Sequence, residues 1–251
     1  MPDVGGSSLS VPAVGEIRVL SFDCYGTLID WESGIWQALA PHLRAAGVTR
    51  EEALEAFARA ESTQQQATPG MLYPELLAAV YRRLCVGFGI AADDEAARAF
   101  GASVADWPAF PDSPDALAYL KQHYRLVILS NVDRASFAHS NARLGVTFDA
   151  IYTAQDIGSY KPDRRNFEFM IARLAEQGIT REQILHTAQS LYHDHVPAKA
   201  LGLATCWIDR RGGQGHGATR PPPVEVRPDF RFPTLAAMAD AHRDETRGPK
   251  S

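Results

Sequence analysis

The sequence has few cysteines, no long apolar run and no excess of positive charge. Its three cysteines, Cys24, Cys85 and Cys206, are too few and too widely spaced among 251 residues for a disulfide framework or a zinc site. No apolar run approaches the roughly 20 residues of a membrane-spanning helix, and residues 1–14 lack the basic and apolar segments of a signal peptide. A net charge of −5 gives no favourable field for nucleic acid or an anionic membrane. We therefore expect a soluble, cytoplasmic protein whose partner is a small molecule, with no nucleic-acid or membrane binding.

Short apolar segments and helical patterns alternate along the second half of the chain. With 45% hydrophobic and 22% charged residues, the composition is that of a globular protein. Segments that indicate strands lie at residues 17–23, 125–130, 149–153, 184–188, 203–208 and 229–232. Strands that are apolar on both faces are typical of a parallel sheet with helices on both sides. The sequence therefore predicts the α/β fold class.

A block of four helical patterns separates the first predicted strand from the others. Its clearest member repeats large apolar residues at spacings of three and four from Tyr73 to Leu84, and Thr49 with Glu52 forms a capping-box pattern. We expect this block to be a helical cap inserted into the α/β core. The predicted organisation is a flexible N-terminus at 1–15, a core at 16–32 and 109–240, a cap at 33–108 and a C-terminal tail at 241–251, with a surface loop at 212–225.

Polar side chains follow four of the predicted strands. Ligands of open parallel sheets bind beyond the carboxyl ends of the strands. The residues predicted there are Asp23, Ser130, Asn131, Lys161 and the segment from Gln189 to Asp194. Each has an ordinary interpretation by itself, as a turn former, a helix cap or a solvated loop residue. Their convergence from four strand ends predicts an active site.

This set of residues resembles the haloacid dehalogenase superfamily. The matching segments are Asp23-Cys24-Tyr25-Gly26-Thr27-Leu28, Leu129-Ser130-Asn131, Tyr160-Lys161-Pro162-Asp163 and residues 186–194. The resemblance covers residues 16–240 and implies a Rossmann-like core with a helical cap that closes over the site. It also implies that Asp23 is the nucleophile.

Two positions distinguish the branch of the superfamily. Its phosphatases carry a second aspartate two residues after the nucleophile, where this chain has Tyr25, and an acidic pair after the fourth strand, where this chain has Gln189 and Asp194. Loss of one carboxylate weakens an oxygen cage for Mg²⁺. The motif around Tyr25 resembles type II 2-haloacid dehalogenases, which implies no metal and no cofactor. The resemblance implies attack of Asp23 on the halogen-bearing carbon, followed by hydrolysis of the resulting ester.

The resemblance and elementary chemistry suggest roles for the other residues. Lys161 is expected to lower the pKa of Asp23 and to orient it, and Thr27 to hydrogen-bond it, although Thr27 also suits a turn. Asp194 is the candidate for activating water. Tyr25, Ser130 and Asn131 are candidates for binding the substrate, and Ser130 and Asn131 can donate hydrogen bonds to its carboxylate or to the departing halide.

Three further candidates have weaker support. Gln189 and Leu191 occupy positions where the dehalogenases carry Ser and Asn, and Phe167 replaces a tyrosine, so the water-positioning residues differ. His193 can share the water-activating role or simply begin the next helix. Arg59 aligns with the cap arginine that receives the halide in that branch, but its position off the apolar stripe also suits a solvated charge.

Two other functions stay open at this stage. One is a Mg²⁺-dependent phosphatase with a degenerate metal site on Asp23 and Asp194. The other is a catalytically silent relative kept as a binding protein, for which Gln189 and Leu191 are the support. The resemblance is also compatible with a homodimer formed through the cap helices.

Overall fold

The computed structural model describes residues 16–214 and 217–247. Six strands form one parallel sheet in the order β3-β2-β1-β4-β5-β6. Their bounds are β1 Val19–Phe22, β2 Arg125–Ser130, β3 Ala150–Thr153, β4 Ile184–Ala188, β5 Ala204–Ile208 and β6 Phe230–Phe232. The predicted Rossmann-like α/β fold is confirmed.

Strand β1 lies at the centre of the sheet, and its apolar composition suits this position. All four of its residues are buried, because β2 lies on one side, β4 on the other, and helices cover both faces. The register pairs Phe22 with Ile128 of β2 and with Thr187 of β4. All three strands therefore end at the same edge of the sheet, and the residues that follow them meet there.

The helices lie after β1, between the later strands and after β6. They are α1 Trp31–Leu43, α2 Arg50–Ala67, α3 Tyr73–Gly87, α4 Asp94–Ala102, α5 Ser113–Leu120, α6 Arg134–Leu144, α7 Ala154–Ile157, α8 Arg164–Ala175, α9 Val196–Ala200 and α10 Leu235–Arg247. One apolar cluster, which includes Val19, Val127 and Met170, lies between the sheet and α8. A larger cluster on the opposite face continues into the helices inserted after β1.

Helices α1 to α4 form the insertion between β1 and β2. The capping box predicted at Thr49 and Glu52 begins α2, with both hydrogen bonds present. Phe57 of α2 packs edge-on against Trp31 and Phe100, whose ring centroids lie 5.9 and 6.2 Å away. These aromatic contacts join three of the inserted helices into one apolar unit.

The structure differs from the sequence-based boundaries at three places. Helix α1 begins at Trp31, capped by Asp30, before the predicted start of the cap. Residues 241–247 belong to α10, which packs against α5, and are not a separate tail. Ala218 and Thr219 are buried within the predicted surface loop. The N-terminal prediction for 1–15 and the prediction for residues 248–251 lie outside the described residues, and no helix of the described part is long and apolar enough to cross a bilayer.

Candidate active site

The residues that follow the central strands converge on one buried ammonium group. The Nζ of Lys161, in the loop between α7 and α8, lies 2.9 Å from Asp23 Oδ1 and 2.7 Å from Asp194 Oδ1. Its third hydrogen bond is donated to the carbonyl oxygen of Leu129, at 2.9 Å. Lys161 is only 1% exposed, so its stem and its charge are both enclosed. Burial disfavours the ammonium, but the two carboxylates outweigh this effect and raise the pKa of Lys161.

The Asp23 carboxylate is fixed through both of its oxygens. Lys161 binds Oδ1, and the hydroxyl of Thr27 donates to Oδ2 at 2.7 Å. Thr27 Oγ1 in turn accepts a hydrogen bond from the backbone N–H of Gln189, at 2.9 Å. Burial raises the pKa of Asp23 above its ordinary value, and Asp194 adds to this effect, while Lys161 and Thr27 oppose it. Lys161 therefore lowers the pKa of Asp23 as expected, but burial is the larger effect and the net change is upward.

Asp194 lies in a π-helical turn, Leu191–His195, that follows β4. His186 within β4 contacts the same oxygen as Lys161, with Nε2 3.0 Å from Asp194 Oδ1. Burial acts to raise the pKa of Asp194, but Lys161 and His186 outweigh it and hold that pKa well below its usual range. Its other oxygen, Oδ2, is buried and accepts no hydrogen bond from the described residues. Asp194 therefore has one oxygen held by Lys161 and His186, and one buried oxygen without a partner among the described residues.

His193 lies beside Asp194 on the wall of the same cavity. Its Nδ1 lies 3.2 Å from Ser190 Oγ, and its buried Nε2 has no partner among the described residues. Burial lowers the pKa of His193 to about 4, so the imidazole is neutral at ordinary pH. A neutral imidazole with a vacant nitrogen can accept a proton from water. The structure thus brings two candidate acceptors, His193 and Asp194, to one place.

Other predicted residues lie close to the site in different roles. Both amide atoms of Asn131 hydrogen-bond the backbone of Lys161, at 2.6 and 3.0 Å, so this side chain positions the lysine. Tyr25 lines the cavity, with its hydroxyl 2.9 Å from Ser140 Oγ. The buried Ser130 is not among the residues that line the cavity. The Gln189 side chain lines a separate cavity beside Gly26, so only its backbone reaches the site.

The structure does not bring Arg59 to the site. Its side chain is 68% exposed and its guanidinium lies 3.9 Å from Glu55, one turn away on the same helix. The buried face of α2 instead carries Phe57, Ala58 and Glu61. The prediction for Arg59 is wrong because the apolar residues of α2 determine which face packs inward, and position 59 is off that face.

The cap contributes polar residues that sequence reasoning did not identify. Glu61, Gln65 and Tyr73 line the cavity together with Asp23, and Thr219 adds a wall from the loop before β6. Glu61 is 2% exposed and accepts a hydrogen bond from the Tyr73 hydroxyl at 2.7 Å. The available signal was the helical spacing, since positions 57, 61 and 65 share one face of α2.

The cavity is small and partly open to solvent. Its volume is about 30 Å³, which holds two or three water molecules at roughly 10–15 Å³ each. Two contacts between the inserted helices and the core lie near it. The Tyr160 hydroxyl donates to the carbonyl of Met71 at 2.6 Å, and Arg220 donates to Ser62 Oγ at 3.2 Å.

Comparison with known proteins agrees with the predicted resemblance. The family model described as haloacid dehalogenase-like hydrolase matches residues 17–187. The chain is 30% identical over 226 residues to an (S)-2-haloacid dehalogenase of Pseudomonas sp. (strain YL), with 84% of this chain and 90% of that protein covered.

Solved structures share the fold at lower identity. The L-2-haloacid dehalogenase of Xanthobacter autotrophicus with covalently bound chloropropionic acid aligns with a TM-score of 0.70 at 19% identity, covering 90% of this chain and 98% of that one. A HAD-hydrolase of Bacillus subtilis bound to magnesium aligns with a TM-score of 0.70 at 18% identity, covering 91% and 99%.

Proposed function

Because this chain belongs to the haloacid dehalogenase-like hydrolase family, we propose that it hydrolyses the carbon–halogen bond of short 2-haloalkanoic acids through an ester on Asp23. The observation that carries the proposal is the fixed Asp23 carboxylate, which faces the cavity with Lys161 on one oxygen and Thr27 on the other. A nucleophile held in one orientation needs little reorganisation to react.

In the first step, a carboxylate oxygen of Asp23 attacks the carbon that bears the halogen. A carbon–oxygen bond forms while the electron pair of the carbon–halogen bond leaves with the halide. Lys161 keeps the carboxylate oriented and supplies the positive charge that keeps it ionised against the effect of burial. The small volume of the cavity limits the water that could compete with this attack.

In the second step, water attacks the ester carbonyl. Asp194 Oδ2 and His193 Nε2, which have no partner among the described residues, are the acceptors we propose for the proton of that water. The acyl–oxygen bond breaks, the 2-hydroxy acid leaves with the former Asp23 oxygen, and Asp23 regains its carboxylate with an oxygen from water. One halide and one proton are released in each cycle.

The residues present do not fit a magnesium site. Asp23 and Asp194 are bridged by the Lys161 ammonium, which occupies the space between their Oδ1 atoms. The third acidic position is Gln189, whose side chain lines another cavity. Among the described residues there is no cluster of three or more His, Cys, Asp or Glu side chains with metal-binding geometry. We therefore propose catalysis by the protein's own groups.

The test is halide release from (S)-2-chloropropionate in buffer with EDTA. We expect release by the native protein, loss of at least about a thousandfold in Asp23→Asn, and no change in Asp93→Asn, an exposed helix cap. In one turnover with heavy-oxygen water, the label should enter Asp23 and not the product. Activity that needs Mg²⁺, with hydrolysis of p-nitrophenyl phosphate, would identify a phosphatase instead. Inactivity in both assays would favour a binding protein.

A further inference from the structure

The cap places a carboxylic acid opposite the nucleophile. Glu61 and Gln65 lie one turn apart on α2, are 2% and 5% exposed, and line the cavity that holds Asp23. A buried acid in a cavity is uncommon unless a partner or a proton compensates it. Its partner here is one hydroxyl group, from Tyr73.

The hydrogen bond from Tyr73 engages one of the two oxygens of the Glu61 carboxyl. The hydroxyl donates to Oε1 at 2.7 Å. Tyr73 is itself fixed, because it is 2% exposed and packs edge-on against Trp107 with ring centroids 6.5 Å apart. The carboxyl is therefore oriented through Oε1, and Oε2 is the oxygen that can carry a proton or meet a ligand.

Among the described residues that line the cavity, none is a cation with a donor to spare for a substrate carboxylate. The three N–H groups of Lys161 are used by Asp23, Asp194 and Leu129. Arg59 lies outside the site, and Arg220, bonded to Ser62, is not among the residues that line the cavity. A haloacid would bring a third negative charge to Asp23 and Asp194. Its carboxylate needs a neutral donor in place of a cation.

We propose that protonated Glu61 donates a hydrogen bond from Oε2 to the carboxylate of the bound haloacid, so that the cap recognises the acid end of the substrate through a shared proton. This inference rests on the proposed function, since it assigns the recognition of the same substrate. Burial raises the pKa of Glu61 to about 7, with Asp23 adding to the effect and Tyr73 opposing it. A substrate carboxylate beside it raises that pKa further, as in other pairs of carboxyl groups that share one proton.

Most titratable groups around Glu61 do not change charge near neutral pH, so Glu61 can respond to pH in this range. They are Tyr73 from α3, Tyr160 from the loop after α7, Asp23 and Tyr25 after β1, Lys161 before α8, and His193 and Asp194 after β4. The tyrosines and Lys161 have raised pKa values, and His193 and Asp194 have lowered ones, so they keep their charge state near neutrality. Asp23 is the exception, because its pKa is raised. A variant must therefore separate the titration of Glu61 from that of Asp23.

The experiment compares the pH profile of kcat/KM in three proteins with two substrates. For (S)-2-chloropropionate, the native protein should lose about tenfold per pH unit above about pH 7, since one proton is required. Glu61→Gln keeps a hydrogen-bond donor that does not titrate, so this loss should disappear. Glu55→Gln, an exposed change on the same helix, should keep the native profile. With 2-chloropropionamide, which has no carboxylate, the native protein should not show the loss.

A binding measurement makes the result independent of turnover. Titration of propionate at about pH 8, in buffers of different ionisation enthalpy, should show uptake of about one proton by the native protein and none by Glu61→Gln. A native profile retained in Glu61→Gln, or equal proton uptake by both proteins, would overturn the role of Glu61. Absence of halide release together with this difference in uptake would overturn the proposed reaction and leave the recognition by Glu61 supported.

Discussion

His186 Nε2 lies 3.0 Å from Asp194 Oδ1, and the opposite ring nitrogen lies 2.9 Å from Ser21 Oγ. Strands β1 and β4 are paired side by side, so a polar connection runs through the centre of the sheet from Ser21 to the acidic residue of the site. All three side chains are buried. The imidazole holds Asp194 through Oδ1, while Oδ2 has no partner among the described residues.

Replacement of His186 should slow hydrolysis of the ester more than its formation. His186→Phe keeps a ring beside Phe167, whose centroid lies 5.1 Å away, but removes a hydrogen bond to a charged group. Such bonds contribute about 1.5–3 kcal/mol, which corresponds to a loss of roughly tenfold to a hundredfold in kcat. Intact-mass measurement during turnover should show the ester accumulating. Ser21→Ala, which leaves the contact with Asp194 in place, should have a smaller effect; equal effects would show that His186 acts only through stability.

Arg59 should be dispensable. Its ion pair with Glu55 is solvent-exposed on both sides, and pairs of this kind contribute about 0–1 kcal/mol. Arg59→Gln should therefore keep kcat/KM within about twofold. The comparison variant is Arg210→Gln, because Arg210 is buried against Asp112 and donates two hydrogen bonds to the carbonyl of Thr27. Loss of activity in Arg59→Gln alone would restore the cap arginine to the mechanism.

Glu61 should make the stability of the protein decline as pH rises. The pKa of Glu61 is about 7 in the folded protein against an ordinary value of 4.5, so between these values the folded state binds the extra proton. The free energy of unfolding therefore falls over this window, by about 3 kcal/mol at most, and remains lower above it. Urea unfolding at about pH 5 and about pH 8 measures the free energy of unfolding of each variant relative to the native protein. This difference should shift in favour of Glu61→Gln at the higher pH, and it should be the same at both pH values for Glu55→Gln. A constant difference would contradict this prediction.

Gly34 should tolerate no side chain. A Cβ at this position of α1 would lie 2.3 Å from Cγ of Trp107, a fully enclosed residue. Overpacking of this kind costs about 1–3 kcal/mol, so Gly34→Ala should lower Tm. It should also lower activity, because Trp107 supports both Tyr25 and Tyr73. Gly87→Ala, with no atom within 4 Å of the added carbon, should be neutral or stabilising by up to about 1 kcal/mol.

The core half of the site was predictable and the cap half was not. Asp23, Lys161, Thr27 and Asp194 follow strands whose apolar composition fixes their place in a parallel sheet, and the carboxyl ends of such strands meet at one edge. His186 was hidden within β4, because an apolar strand gives no sign of which neighbour a polar member contacts.

Which cap side chains face the cavity depends on how the inserted helices pack against the core. Arg59 and Glu61 lie two positions apart on α2, so they point to different sides of the helix and only one can face the cavity. The sequence stripe of Leu54, Phe57 and Ala58 placed Arg59 off the apolar face but left open whether it faces the cleft or solvent. It was not sufficient to identify Glu61, because a charged residue at the edge of such a stripe is normally solvated. Its burial depends on the contact with Tyr73, which comes from another helix.

A cavity of about 30 Å³ also implies that chemistry and access alternate in time. This volume is smaller than a haloacid, and the hydrogen bonds from Tyr160 to Met71 and from Arg220 to Ser62 join the inserted helices to the core. We therefore expect these helices to move relative to the sheet when a substrate binds and when a product leaves. The turnover rate is then limited by the opening and closing of the inserted helices as well as by the chemical steps. Natural variation at these contacts between cap and core is expected to change how fast the protein works without altering which bond it breaks.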